Sequence, residues 1–498
     1  MEWRLTQENL THLATDAIFL FHTEDQASTH GLVRQIDEMI DFQISHLISV
    51  GEVKGEYGEL TILHLWGQIP AARLFILGLG KEEKLNLQRF KQVVGKGIQR
   101  AEELELRQIA MSSPSFLIKR FHTVDCVQAM VEGAELAAYE PPSFKEEQKQ
   151  QFVKTIFISA HDYSLSAFDE GLLRGKVFAQ STNLARFLTD QPANWMTPDA
   201  FASKAEEIAQ KRGLEFMVLE QSDLDRLGMH AILTVGKGSL YSPRLLVLRY
   251  TGDHGRKDSL ALIGKGITFD SGGLQLKGDK EMFGMKRDMA GAATVLAVMD
   301  GLAQLTPYHN VMALLPICEN IVDAGSMRPE DVIRTYSGKT VEITHTDSEG
   351  RLILADAISY AKKLGASRLV DIATLTGATI IALGFEATAL MTNDAQWGLE
   401  VKRAARMVGE KTWELPLFEE YEEYIESDIA DMKNDDGMEA GAIQAGVFLK
   451  QFAEETPWVH LDIAGTAELT KERGIMSKGA TGVGVRTLLQ LALREVEE

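Results

Sequence analysis

The chain has 498 residues, 45% hydrophobic and 25% charged, with 42 Gly and 12 Pro, a balance that excludes fibrous, collagen-like and disordered classes and suggests two or three domains. Its 51 basic residues stand against 72 acidic ones, a net charge of −21, which repels phosphate backbones and makes nucleic acid a poor partner. Cys126 and Cys318 are the only cysteines, too few for a disulfide framework or a thiolate metal site, which fits a reducing cytoplasm.

The first residues carry Glu2, Glu8 and Asp16 where an export signal needs a basic segment and a long apolar run. No stretch approaches the length of uncharged apolar sequence that crosses a membrane. Apolar runs at 17–21, 60–65, 74–79 and 155–158 read as strands and 87–110 as a helix, the alternation of an N-terminal α/β domain over residues 1–165. No catalytic residue types cluster in it. Segment 139–151, with Pro141-Pro142 among solvated charges, reads as a surface connection. A helix predicted over 172–188, ended by Asp190-Gln191-Pro192 because proline disfavours helix in the residue before it, opens a second domain, 170–498. There, strands at 214–219, 244–250, 260–264, 311–317, 368–372 and 458–463 alternate with helices at 200–212, 289–305, 352–364, 442–454 and 483–497. This is the pattern of a mixed, largely parallel sheet flanked by helices, in which ligands sit beyond the carboxyl ends of the strands.

The unusual residues gather at two such ends. After the apolar run 260–263 come Gly264-Lys265-Gly266, then Asp270, the turn Ser271-Gly272-Gly273, Lys277 and Asp288. Taken singly, Lys265 reads as a loop charge and Asp288 as the cap of the helix from Met289; their density points to chemistry instead. A phosphate loop is excluded, because GxxxxGK[ST] needs glycine and a hydroxyl residue where the chain has Ser259 and Gly266. The second cluster follows the alternating Val341 and Ile343: His345-Thr346-Asp347-Ser348-Glu349, Gly350 and Arg351. Continued with period two, Asp347 and Glu349 face the same side. Paired carboxylates at a strand end repel unless a cation or proton lies between them, although a solvated helix cap explains the same residues about as well. Together Asp270, Asp288, Asp347 and Glu349 suit hard or borderline divalent ions and suffice for two. HExxH and GxSxG are absent from the sequence, which removes single-zinc protease and serine hydrolase chemistry.

The segments 265–277, 285–293 and 346–357, with support at 190–198, 371–377 and 479–486, resemble the leucine aminopeptidase (cytosol aminopeptidase) family of dinuclear metallopeptidases. The resemblance implies that Lys265, Asp270, Asp288 and Glu349 hold a tighter metal, and that Asp270, Asp347 and Glu349 hold a second, exchangeable one; manganese or zinc would occupy both. Lys277 and Arg351 would be catalytic, Arg351 by holding a bicarbonate that serves as general base. Met285, Thr374, Gly377, Ala464 and Ala467 would line the pocket for the first side chain. The implied reaction releases N-terminal, leucine-like residues from short peptides through a metal-activated bridging water, in a cytoplasmic homohexamer with no membrane attachment. The alternative is a DNA-binding accessory role for the first domain, against which its acidic character speaks. His345 stands where the family usually has Asn and Ser348 where it has Ala, so hydrogen bonding around the ligands is the part that differs.

Overall fold

The computed structural model describes residues 1–493 other than 27–28, 147–149, 162 and 256–258. The chain is α/β throughout and divides into two compact units: residues 1–180 with 471–478, and residues 181–470 with 479–498. The 26-residue helix Leu165–Asp190 carries the chain from the first to the second; the boundary read at 165–170 falls at its beginning, whereas the two units part within it, after residue 180. Residues 147–149 of the predicted surface connection, and 494–497 of the predicted last helix, lie outside the described residues.

In the first unit a six-stranded sheet runs in the order Glu2–Thr6, Thr155–Ser159, Gln108–Met111, Ala17–His22, Arg73–Gly78, Leu60–His64. All neighbours are parallel except the last pair. Side-chain alternation divides the strand Ala17–His22 between two cores: Phe19 and Phe21 pack with Phe90, Val94 and Met130 on one face, Ile18 and Leu20 with Ile36 and Ile44 on the other. The helix expected over 87–110 ends at Glu103, and Gln108–Met111 is an interior strand. The apolar spacing ran through both elements, but Glu105 at φ 57° reverses the chain between them.

The second unit is built on a nine-stranded sheet whose middle is parallel: Trp458–Asp462, Ala366–Ala373, Ser259–Gly264 and Val311–Asn320. Antiparallel strands Arg244–Tyr250 and Glu215–Leu219 extend one side, and the short strand Gly266–Asp270 pairs with the end of Val311–Asn320. These central strands are buried along nearly their whole length, as expected for a sheet with helices on both faces. Helix Ala290–Leu305 sits hard against the strand ends: Lys265 N–H donates to Ile372 O at 3.1 Å, and Ala292 N–H donates to Lys265 O at 2.8 Å. Glycine at 291 makes this approach possible, since a Cβ there would meet Ile372 O at 2.1 Å. Gly291→Ala is therefore expected to destabilise the protein by about 2–3 kcal/mol through overpacking against backbone, read as a lowered midpoint in thermal or denaturant unfolding.

Candidate metal centre and active site

The carboxyl ends of the parallel strands deliver the site. Lys265 follows Ser259–Gly264, Asp270 closes Gly266–Asp270, Asn320 closes Val311–Asn320, and Thr374 follows Ala366–Ala373. Each stands at the edge where the adjoining helices begin, the usual place for function in such sheets. Asp347 and Glu349 arrive differently from the period-two expectation. The strand ends at Glu342, a turn follows, and Glu349 is the first residue of the helix Glu349–Lys363. Their convergence is set by that turn and the helix start, where the helix dipole favours a carboxylate.

One oxygen each from Asp270, Asp347 and Glu349 lies within 4.8 Å of the others. Lys265 Nζ stands 2.8 Å from Asp288 Oδ2, 2.8 Å from Glu349 Oε1 and donates to Thr374 O at 3.2 Å. Lys277 Nζ lies 2.9 Å from Asp270 Oδ2 and 2.5 Å from Asp347 Oδ1. It reaches them because Gly272 and Gly273, at φ 86° and 67°, fold the loop back. Gly350 has an equally specific reason: a Cβ there would lie 2.6 Å from Lys265 Nζ. Asp288 is no helix cap. The helix after it lacks a side-chain cap, while Asp288 Oδ1 accepts from Thr374 Oγ1 at 2.7 Å.

Electrostatics follows from burial. Desolvation pushes the Asp288 carboxyl up to about 8, and Glu349 and Asp270 add to this against Lys265. Asp347 rises to about 7, by burial and then by Glu349 and Asp270. Burial alone would lower both lysines, but the surrounding carboxylates outweigh it and hold Lys265 and Lys277 above their ordinary values. Two ammonium groups thus face four carboxylates.

That arrangement fits divalent cations. Asp288 Oδ2, Glu349 Oε1 and Asp347 Oδ1 have a lysine Nζ at 2.8, 2.8 and 2.5 Å and no further partner among the described residues, and the buried Glu349 Oε2 has neither a hydrogen bond nor a cation at ion-pair distance among them. Oxygens left so in a protein interior are costly unless something else binds them. The donor set, carboxylates with one amine, suits hard or borderline ions.

Above the carboxylates opens a cavity of about 630 Å³, lined by Met285, Thr374, Gly377 and Ala464 as well as by all seven charged residues singled out in the sequence. Ala467 is not among the lining residues. It is 2% exposed, and its N–H donates to Ile463 O at 2.8 Å in the turn after a strand, so it bears on the pocket only through its neighbours. Sequence reasoning missed the supports. Asn320 donates to Asp270 Oδ1 at 2.9 Å and to Thr346 O at 3.0 Å. Asn434 ties the 344–348 turn by accepting from Thr344 N–H at 2.8 Å and donating to His345 O at 2.7 Å. Asp462 accepts from Thr376 and Thr379 hydroxyls, each at 2.7 Å. A polar residue closing the long apolar run 311–318 marks Asn320 in the sequence; nothing local marks Asn434 or Asp462.

A cavity floored by an acidic cluster that needs cations, at the carboxyl edge of a parallel sheet, is the site of a metal-dependent enzyme. The sequence matches the cytosol aminopeptidase family, catalytic domain, over residues 183–489, and the N-terminal domain of the same family over residues 17–148. A probable cytosol aminopeptidase of Alkaliphilus metalliredigens is 41% identical over 496 residues, 99% of each chain. One of Bacillus subtilis is 39% identical over 486 residues, 97% of this chain and 96% of the relative. Among solved structures, a tomato leucine aminopeptidase mutant superposes with TM-score 0.89 at 30% identity, covering 99% of this chain and 97% of its own. The bottromycin maturation enzyme BotP in complex with Mn gives 0.84 at 30% identity, covering 96% and 99%. The chain belongs to the cytosol aminopeptidase family. It is a metal-dependent aminopeptidase, and so a hydrolase.

The raised carboxyls set a pH dependence for the metal-free protein. Unfolded carboxyls titrate near 4, whereas Asp347 and Asp288 titrate at about 7 and about 8 in the fold. Between those limits the native state holds more protons than the unfolded one, so stability falls as pH rises through this window. Both lysines stay charged across it. Chelated protein is expected to lose thermal stability from about pH 4 to about pH 8, and divalent ions to restore most at the alkaline end. Calorimetry of chelated and reloaded protein checks this.

Proposed function

We propose that the protein releases N-terminal amino acids, leucine-like ones preferentially, from short peptides, using two divalent ions per chain. The observation that carries this reading is the cluster of four carboxylates, offset by only two lysines, that lines the 630 Å³ cavity. In the proposed assignment Lys265, Asp270, Asp288 and Glu349 hold one ion and Asp270, Asp347 and Glu349 the other, with manganese or zinc as occupants. When bound, the ions supply Lewis acidity and a water that loses a proton near neutral pH.

The remaining work falls to residues of this chain. Lys265 must give up its proton to serve as a ligand, which neighbouring cations would favour by reversing the field that now raises it. Lys277 has a protonated amine at the cavity wall, placed to stabilise negative charge developing on the peptide carbonyl oxygen. Arg351 is anchored through NH1, which donates to Asn434 O and lies 3.3 Å from Asp435 Oδ2, while its buried Nε has no partner. A guanidinium held on one side with a donor left over suits a planar anion, here a bicarbonate acting as general base. Met285, Thr374, Gly377 and Ala464 form the walls for the first side chain.

Lys277→Ala should leave the metals bound and lower kcat by about a hundred- to a thousandfold, with a smaller effect on KM. Lys265→Ala should instead weaken metal retention, and Asp270→Ala or Glu349→Ala should abolish it at both positions. Arg351→Ala should lose less rate and regain part of it with added bicarbonate. Metal analysis beside steady-state kinetics distinguishes these outcomes; metal loss in Lys277→Ala with retention in Lys265→Ala would reverse the two roles.

We further propose that the chain works as a cytoplasmic homohexamer. The cavity rim supports this: Phe283, Ile381 and Met438 are 84–88% exposed, and assembly would shield such side chains and restrict entry to short peptides. No described helix is long and apolar enough to cross a membrane. No observation favours the DNA-binding alternative, and residues 17–148 match the family's own N-terminal domain. Light scattering is expected to show a hexamer that persists on dilution to nanomolar chain; a fully active monomer contradicts it.

A further inference from the structure

Residues 418–424 read Phe-Glu-Glu-Tyr-Glu-Glu-Tyr, a repeat of period three, and they fold into and just before the 3₁₀-helix Glu419–Ile425. Three residues per turn set positions three apart directly above one another, so the repeat becomes geometry. Phe418 stacks on Tyr421 with ring centroids 6.1 Å apart and 12° between planes, and Tyr421 meets Tyr424 at 6.1 Å and 32°. The same spacing puts the glutamates in rows beside the rings. Tyr421 packs against the core, whereas Phe418 is 62% exposed. Such helices are usually shorter than about five residues; one of seven that turns an aromatic row outward makes a contact surface.

The ridge borders a groove of about 860 Å³, lined by its three rings with Glu420, Glu423 and Asp436 and, among the described residues, by no basic side chain. Lys450 engages Glu422 at 3.1 Å and Lys433 engages Asp436, but Glu420 and Glu423 have no ion pair among the described residues. The groove adjoins the catalytic cavity across a single loop: Asp436 lines the groove, while its neighbours Asp435 and Gly437 line the cavity. Helix Gly441–Ala453 joins the two again, since Gly441 lines the cavity and the 3₁₀-helix packs on this helix. Ring faces beside unpaired carboxylates suit a side chain with an apolar stem and a cationic head; an acidic one would be repelled. A peptide held in the cavity by its first residue must lead the remainder out across the rim, so the later part of the substrate is the occupant at hand.

We propose that this ridge selects peptides with lysine or arginine beyond the first residue, which rests on the reading above that the first residue enters the 630 Å³ cavity. The test compares kcat/KM of the metal-loaded, full-length protein for Leu-Ala-Ala-Ala peptides in which lysine, glutamine or glutamate replaces alanine at the second, third or fourth position. Leucine p-nitroanilide, which has no later residue, is the reference. At one or more positions lysine should exceed glutamine by about fivefold or more, chiefly through KM, with glutamate lowest, and the preference should shrink in salt of about 0.5 M. Glu420→Gln combined with Glu423→Gln should bring the lysine-to-glutamine ratio close to one, a readout that a general loss of folding, which lowers both rates alike, does not move. Glu206→Gln combined with Glu215→Gln, exposed elsewhere in the same unit, should keep the ratio. The proposal is overturned if no position shows the preference while the anilide is hydrolysed, or if the preference survives in the ridge variant. It is also overturned if that variant changes the mass of the oligomer and leaves the ratio alone, which would make the ridge a contact between copies. Failure to hydrolyse anilide and peptides alike would overturn the reading of the cavity, and this proposal with it.

Discussion

Four carboxylates brought together in a protein interior repel one another, and much of the second unit is organised around holding them there. Asp270, Asp288 and Glu349 are each at most 4% exposed, so water does little to separate their charges. Two lysines share the neutralisation, Lys265 lying between Asp288 and Glu349 and Lys277 between Asp270 and Asp347. Burial first, and then repulsion that the lysines offset only in part, is why Asp288 and Asp347 titrate so far above ordinary carboxyls. The same imbalance that makes the metal-free site strained makes it a strong trap for divalent cations, since each ion relieves repulsion as well as gaining ligands.

Backbone had to come close for this to work, and the glycines record where. Lys265 enters beside the helix Glu349–Lys363 only because residue 350 has no side chain, and the first turn of Ala290–Leu305 meets the strand ends only because residue 291 has none. These are packing constraints transmitted directly to chemistry. A shift of the helix start by one methyl group would move Glu349 or Asp288 relative to the lysine that both face.

The strands were legible because each is an apolar run bounded by turn residues, and those at 244–250 and 215–219 fall within a residue of the expected limits. Periodicity failed where one apolar spacing spanned a helix and the next strand, as at 87–110, and where a turn intervened, as between Glu342 and Glu349. The proposed ligands stood out by their density in two short segments, Lys265 and Asp270 at buried strand ends and Asp288, Asp347 and Glu349 just before or at helix starts. Ala467 was misplaced because an alanine carries no signal of which way it faces. Asn434 and Asp435 were invisible for another reason: they act from a distant loop, and only the fold brings them to the 344–348 turn.

That loop explains what the two departures from the family motif do. Asp347 N–H donates to His345 Nδ1 at 3.2 Å, so this nitrogen is engaged as an acceptor by the backbone of the turn and is not available to an ion in the same geometry. Ser348 Oγ donates to Asp435 Oδ2 at 2.6 Å, the same oxygen that lies 3.3 Å from Arg351 NH1. Alanine at 348 would leave Asp435 with one fewer donor and so free it to lean more fully on the guanidinium. Both differences therefore act on the shape of the turn and the setting of Arg351, while the carboxylates are held through Asn320, Thr374 and the two lysines. Asn434 joins the two, since it ties the turn that carries Asp347 and accepts from Arg351 NH1, so a change at either position reaches the carboxylates through the backbone of that turn.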